Sequence, residues 1–276
     1  MTLEAFHGAG FRGVIPAAVA NARARELGVG VPRLMTMLLP YAAEYAKPPI
    51  SNFRVGCVSR GLSGALYYGT NLEFAGEALS FTVHAEQSSV TNAWTNGEEG
   101  IDLIAVNAAP CGYCRQFLNE LVTANQLVIA MPDETRPLSD LLPNAFGPRD
   151  LGIDGGLMQP AHHDLVIAEG DALAQTALDA ANMSYAPYSK SYAGVAVRTS
   201  AGAVYAGPYA ENAAFNPSMS PLEVALSRLN LAGEPFESIE DAVLVHVDSL
   251  HSESSRVVLR AVSDVPLRLV QARNSR

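Results

Sequence analysis

The chain is short of positive charge: 18 Lys and Arg stand against 28 Asp and Glu in 276 residues, a net charge of −10 at pH 7. Proteins that track a phosphate backbone draw their affinity mainly from Lys and Arg, so this balance argues against a nucleic-acid partner. Cysteine is nearly absent, with three in the whole chain, too few and too unevenly spaced for a disulfide framework. No run of about 18 apolar residues occurs, which argues against a membrane span. The nearest approach, residues 34–43, is short and interrupted by Pro40. The N-terminus, MTLEAFHGAGFRG, has an acid at Glu4 and glycines where a signal peptide needs a basic end and an apolar run. Disorder is excluded too, because 49% of residues are hydrophobic and only 17% charged. The expectation is a soluble, reduced, cytoplasmic protein of about two domains, at roughly 150 residues each.

What is present includes one long repeat. Residues 45–56 (YAKPPISNFRVG) recur loosely as residues 185–195 (YAPYSKSYAGV). Each copy leads into two short β-prone runs around a Gly-containing turn: 55–59 and 65–70, then 195–199 and 203–207. That pattern predicts β-hairpins. Glu73 and Glu211 follow, 138 residues apart (211 − 73), and then helix-like stretches at 83–94 and 222–231. Two copies at that distance predict a duplicated domain, since a solenoid needs many short repeats. Strands at 101–108 and 127–131 flank a helix beginning near Cys111, an order that argues an α/β layered fold. Residues 132–164 are rich in Pro, Gly and Asp, which is connector chemistry. The first 30 residues, with a helix-forming run at 17–27, read as an appended lid. The expected layout is a helical extension at 1–30, a catalytic domain at 31–131, a linker at 132–168 and a second, metal-free domain at 169–276.

Two motifs carry chemistry: His84-Ala85-Glu86 and Pro110-Cys111-Gly112-Tyr113-Cys114. Cysteines three apart on a helix share a face, so both sulfurs can reach one ion. Thr82 is placed to cap a helix opening at Val83, and Pro110 suits a first turn. Both motifs then sit at helix N-termini, where unpaired N–H groups and the dipole favour thiolates. Arg115 could add hydrogen bonds to sulfur. His84, Cys111 and Cys114 make three donors, the number expected of a catalytic zinc that keeps one position for water; a structural site closes with four. Cys57 lies in a strand pattern and reads as a small core side chain. Taken alone, the cysteine pair has a structural or redox reading as its alternative. Glu86 favours the catalytic reading, because it can address a water without ligating the ion.

H-x-E followed by P-C-x-x-C is the zinc deaminase pattern. More narrowly, the chain resembles the cytidine deaminase family in its longer, duplicated form. The residues that carry the resemblance are Phe53-Arg54-Val55-Gly56, Asn71-Leu72-Glu73, 83–87 (VHAEQ), 110–116 (PCGYCRQ) and 209–217 (YAENAAFNP). It runs from about residue 40 onward. It implies two tandem three-layer α/β/α domains with a short helical N-terminal extension, and one zinc per chain held by His84, Cys111 and Cys114. The implied reaction is hydrolytic deamination of free cytidine and deoxycytidine in pyrimidine salvage. By the same resemblance, Glu86 takes the attacking water's proton, passes it to the ring nitrogen and then protonates the leaving amine. Asn71 and Glu73 would bond ribose hydroxyls, and Phe53 would pack against the pyrimidine face; a plain core Phe is its alternative. A homodimer is implied, its pockets completed in trans by Ala213, Ala214 and Phe215. Asn107-Ala108-Ala109 departs from the bulkier or hydroxylated residues of relatives, which bears on pocket closure. Tyr113 occupies a variable position and is given no role.

In the second copy, Pro221 lines up with His84 and Glu223 with Glu86, and there is no cysteine, so no metal is expected there. Among other residues, His162-His163 reads as a solvated pair in the connector and His246 as a strand histidine. His7 and His251 have no neighbours that suggest ligation. Trp94 should anchor the core face of the His84 helix with Val83, Val90 and Ala93 at helical spacing. Two competing readings remain. One keeps the zinc chemistry but moves it to a purine base, a transfer-RNA adenosine or polynucleotide cytosine; net charge, Phe53 and the Asn71/Glu73 pair weigh against it. The other is a structural zinc protein or silent nucleoside-binding module, which needs a fourth ligand or a missing Glu.

Overall fold

Short β-prone runs around tight turns form the strands, and Ala- and Leu-rich stretches form the helices that cover them. The computed structural model describes residues 3–8 and 10–275. In chain order, the first half contains β1 (Val14–Ile15), α1 (Ala17–Glu26), α2 (Val31–Glu44), β2 (Gly56–Gly61), β3 (Leu66–Thr70), α3 (Ala85–Thr95), β4 (Ile101–Val106), α4 (Gly112–Leu118), β5 (Val128–Ala130), β6 (Thr135–Pro137) and α5 (Leu138–Leu141). The second half contains β7 (Leu165–Ile167), α6 (Ala172–Met183), β8 (Ala193–Thr199), β9 (Val204–Pro208), α7 (Pro221–Leu231), β10 (Ile239–His246), α8 (Ser252–Arg260) and β11 (Leu267–Asn274).

The strands make two sheets, ordered β1-β3-β2-β4-β5-β6 and β7-β11-β10-β8-β9. Each contains an antiparallel hairpin (β2–β3, β8–β9), a third antiparallel strand (β4, β10) and a fourth that is parallel to the third (β5, β11). A parallel step needs a crossover, which α4 and α8 supply. The duplication predicted from the repeat is thus present strand for strand, with α2, α3 and α4 answered by α6, α7 and α8. Residues outside the repeat add edge strands: β1 extends the first sheet beside β3, β6 closes its other edge, and β7 borders the second sheet at β11.

Burial shows the layering. Leu34, Met35, Leu38, Leu39 and Ala42 of α2 pack on Val58, Leu66 and Tyr68 of the first sheet. Leu173, Ala177 and Ala181 of α6 pack on Ala196, Val243 and Val245 of the second. The largest core is shared: Cys57, Trp94, Ile104 and Phe117 belong to one cluster with Val195, Leu222, Leu244 and Leu259. Helices α3, α4, α7 and α8 therefore form a common inner layer, and each half is α/β/α with that layer in common. Cys57 and Trp94 are core residues, as expected. Of the connector histidines, His162 is exposed, but His163 stacks on Tyr192 and bonds the Ser184 carbonyl at 2.7 Å, so the pair is not simply solvated. No helix among the described residues is long and apolar enough to cross a membrane.

One close approach sets the height of α3 over its sheet. A Cβ on Gly69 of β3 would fall within 3.0 Å of the Ala85 carbonyl oxygen and the Ser89 nitrogen. Gly207 repeats the arrangement against Pro221 and Ala225 of α7.

Candidate active site

Helix α3 starts two residues later than the sequence pattern suggests. His84 is its N-cap, and the His84 N–H donates to Gln87 Oε1 at 3.1 Å. Thr82 ends the preceding 3₁₀ turn and caps nothing in α3, because the chain is still extended at Thr82 and His84. Cys111 is the N-cap of α4, its sulfur accepting the Cys114 N–H at 3.4 Å. Arg115 turns away from sulfur and donates to the Pro110 and Leu141 carbonyls at 2.8 and 2.9 Å. Cys111 Sγ lies 3.6 Å from Cys114 Sγ and 3.7 Å from His84 Nδ1. The three donors lie within 4.8 Å of one another.

This donor set fits zinc. Tetrahedral Zn–S bonds of about 2.3 Å separate two ligand sulfurs by about 3.8 Å, close to the spacing observed. Among the described residues no further His, Cys, Asp or Glu joins the group. Three protein donors leave a position open, the arrangement of catalytic zinc sites. The Cys114 thiol hydrogen bond, with help from His84 and the Cys114 N–H, pulls Cys111 down to about 3 against the effect of burial. The same thiol–thiolate bond, then burial, raises Cys114. A lowered Cys111 favours the thiolate, the form that ligates a metal ion. Burial lowers His84, but the hydrogen bond and charge of Cys111, with the Glu86 charge, outweigh it and leave the imidazole raised. Glu86 is 4% exposed. Its carboxyl is raised by burial, against lowering contributions from hydrogen bonds and His84.

All seven residues singled out from sequence line one cavity of about 260 Å³: Phe53, Asn71, Glu73, His84, Glu86, Cys111 and Cys114. Phe53 is 60% exposed, so it is not a core Phe. Asn71 Oδ1 accepts the Val55 N–H and its Nδ2 donates to the Phe53 carbonyl, both at 2.9 Å. Glu73 accepts the N–H groups of Ile50 and Ser51, at 2.8 and 2.9 Å, and the Ser51 hydroxyl. Burial would raise the Glu73 carboxyl, but these hydrogen bonds prevail and hold it below the usual range. Asn71 and Glu73 therefore pin residues 50–55 along the cavity. The sequence reading missed Ser51, Val55, Thr82 and Ala85 as lining residues. Ser51 had a visible signal: Ser189 stands in the same relation to Glu211, 22 residues ahead, and makes the same bonds. Ala108 and Ala109 also line the cavity, so the departure noted in sequence falls on its wall.

Two family profiles described as the cytidine and deoxycytidylate deaminase zinc-binding region match residues 32–131 and 138–256. A cytidine deaminase of Vibrio vulnificus (strain CMCP6) is 50% identical over 248 residues, 88% of this chain and 84% of that protein. One from Photobacterium profundum is 48% identical over 244 residues, 87% of this chain and 83% of that protein. This chain belongs to the cytidine deaminase family. It is a zinc-binding deaminase, and the tandem match agrees with the longer, duplicated form of the family. A solved cytidine deaminase from Mycobacterium tuberculosis is 31% identical, covering 42% of this chain and 96% of that one with a TM-score of 0.39.

The second half corrects the sequence alignment. Leu72 bridges Val83 in the first half and Ala210 bridges Met219 in the second, so the intervening loop is two residues shorter there. Ser220, the N-cap of α7, stands where His84 stands, and Leu222 occupies the place of Glu86. Pro221 corresponds to Ala85, and Glu223 to Gln87. His251 stands at the N-cap position of α8, as Cys111 does in α4, but its side chain makes no capping bond there, and Ser254 takes the place of Cys114. Of these three positions only His251 carries a good zinc donor. It bonds the Ser191 carbonyl at 3.2 Å and lies against Tyr209, ring centroids 4.1 Å apart.

Proposed function

We propose that the chain deaminates free cytidine and deoxycytidine, water and nucleoside giving uridine or deoxyuridine and ammonia, as a cytoplasmic step of pyrimidine salvage. The supporting observation is the single cavity that brings a buried Glu86, three soft donors and the Asn71/Glu73 pair together. His84, Cys111 and Cys114 would hold one zinc, which when bound supplies the positive charge that acidifies water. Glu86 takes one proton from the attacking water and delivers it to the ring nitrogen next to the amine-bearing carbon, then takes the second from the hydroxyl newly bound to that carbon and gives it to the departing amine. Its burial keeps bulk water from competing for that proton. Phe53 faces the pyrimidine, and the free lone pairs of Asn71 and Glu73 accept from ribose hydroxyls. Ala213 is buried within its own chain, against the expectation that it reaches a partner's pocket, whereas Ala214 and Phe215 are exposed, Phe215 at 66%, and neither lines its own chain's cavity. That arrangement supports a homodimer in which each copy covers the other's pocket mouth. The net charge of −10 weighs against a polynucleotide substrate, whose channel needs a basic stripe.

The test is ammonia release by zinc-loaded protein from cytidine and deoxycytidine, with adenosine and guanine alongside. Release from the cytosine nucleosides alone is expected. In parallel, Glu86→Gln should keep about one zinc per chain while turnover falls by at least about 10² to 10⁴-fold. A variant that turns over near the wild-type rate would remove Glu86 from the role given to it.

A further inference from the structure

The half that carries the zinc donors does not fix them alone. Residues 212–217 of the second half lie along α4 and reach the start of α3. Tyr113 donates its hydroxyl hydrogen to the Asn216 carbonyl at 2.9 Å, while its ring stacks on His84 with centroids 5.0 Å apart and planes at 26°. Gln87 donates from Nε2 to the Pro217 carbonyl at 3.1 Å, and its Oε1 accepts the His84 N–H. Farther along α4, Asn212 Nδ2 bonds the Gln116 carbonyl at 3.0 Å and the Ala213 N–H meets Glu120 at 2.8 Å. Two consecutive carbonyls of the second half thus act on one imidazole, one through its ring neighbour and one through its backbone. Neither Tyr113 nor Gln87 lines the cavity or belongs to the donor group.

We propose that residues 212–217, acting through Tyr113 and Gln87, orient His84 and so set how tightly this chain holds its zinc. The inference rests on the reading that His84, Cys111 and Cys114 hold the ion. A ligating histidine is fixed in rotation by partners outside the ligand set, and losing such partners typically weakens metal affinity by about 10–100-fold. The loop is built to present its carbonyls in one direction. Asn212 N–H bonds Ser218 Oγ at 3.0 Å, Asn212 Oδ1 accepts the Ala214 N–H at 3.0 Å, and the Ser218 N–H returns to the Phe215 carbonyl at 2.9 Å. The second half therefore serves as a positioning element of the metal site in its own chain. Tyr113, at a variable position of the motif, is one of its two handles.

The experiment uses the zinc-loaded full chain and follows zinc transfer to an excess of a chromogenic chelator. Tyr113→Phe removes one oxygen, Gln87→Met removes both amide bonds, and the two are combined. Ser227→Ala is the control: it deletes the 2.6 Å hydroxyl contact with Ser88 in the same interface without touching His84, Tyr113 or Gln87. The double variant is expected to release zinc about 10–100-fold faster than wild type, each single variant by an intermediate factor, and Ser227→Ala at the wild-type rate. Release from Tyr113→Phe and Gln87→Met no faster than from Ser227→Ala overturns the proposal while leaving the zinc site intact. A wild-type chain that takes up no zinc instead removes the reading on which the proposal stands. If the double variant does not fold, Tyr113→Phe alone decides between these outcomes.

Discussion

Adding one methyl group at Gly69 should disable the site without changing any of its zinc donors or Glu86. A Cβ there would sit within 3.0 Å of the Ala85 carbonyl and the Ser89 nitrogen, both backbone atoms of α3. Ordinary contact needs about 3.5 Å, so the first turn of α3 must retreat by about 1 Å. That turn carries Glu86 and follows directly on His84, while Cys111 and Cys114 stay with α4. Overpacking of this kind costs about 1–3 kcal/mol, which lowers the melting temperature by several degrees. The displacement matters more for chemistry, since a misplacement of about 1 Å can cost about 10²-fold in rate. Gly194→Ala is the matched control. Its Cβ would overlap the Ala177 carbonyl and the Ala181 nitrogen of α6 equally closely, but α6 lies on the outer face of the second half. Both variants should melt early, while only Gly69→Ala should lose zinc and about two orders of magnitude in kcat/KM with cytidine. Equal kcat/KM in the two folded, metal-assayed variants would refute the argument that α3's distance from β3 positions the site.

Glu223→Gln should stabilise the chain in a pH-dependent way. Burial pushes the Glu223 carboxyl from 4.5 up to about 7, so folding favours its protonated form. The resulting penalty is absent below pH 4.5, grows between pH 4.5 and 7, and levels off above that at about 3 kcal/mol. The amide oxygen can still accept the Ser220 N–H, so urea unfolding should show little difference at pH 5 and the full gain at pH 8. A gain that does not change with pH counts against this. Glu120→Ala should destabilise the chain by at least about 2 kcal/mol in urea unfolding at pH 7. Glu120 accepts from Tyr185, Tyr188 and the Ala213 N–H at 2.8, 2.5 and 2.8 Å, and the buried Ala213 N–H would lose its partner.

Much of this protein was legible along the chain because the chemistry involved is local. Two sulfurs three residues apart, a Glu two residues after a His, and Gly turns between β-prone runs each act within a turn or a strand. The repeat, offset by 138 residues, likewise predicted two similar sheets, and the residues singled out by the motifs and the family resemblance share one cavity. Contacts between distant segments were not legible. The cap of α3 moved from Thr82 to His84 because backbone conformation there is settled by the bridge between Leu72 and Val83. A loop two residues shorter in the second half shifted the partner of His84 from Pro221 to Ser220, which an alignment without strand pairing cannot register. Tyr113 gained its place only when residue 216, 103 positions away, came within hydrogen-bond distance of its hydroxyl. By itself the sequence determined which atoms could bind an ion or carry a proton, since spacing along a helix or strand fixes them. The tertiary structure alone decided what holds those atoms in place, because four inner helices packed between two sheets bring together groups that no local spacing relates.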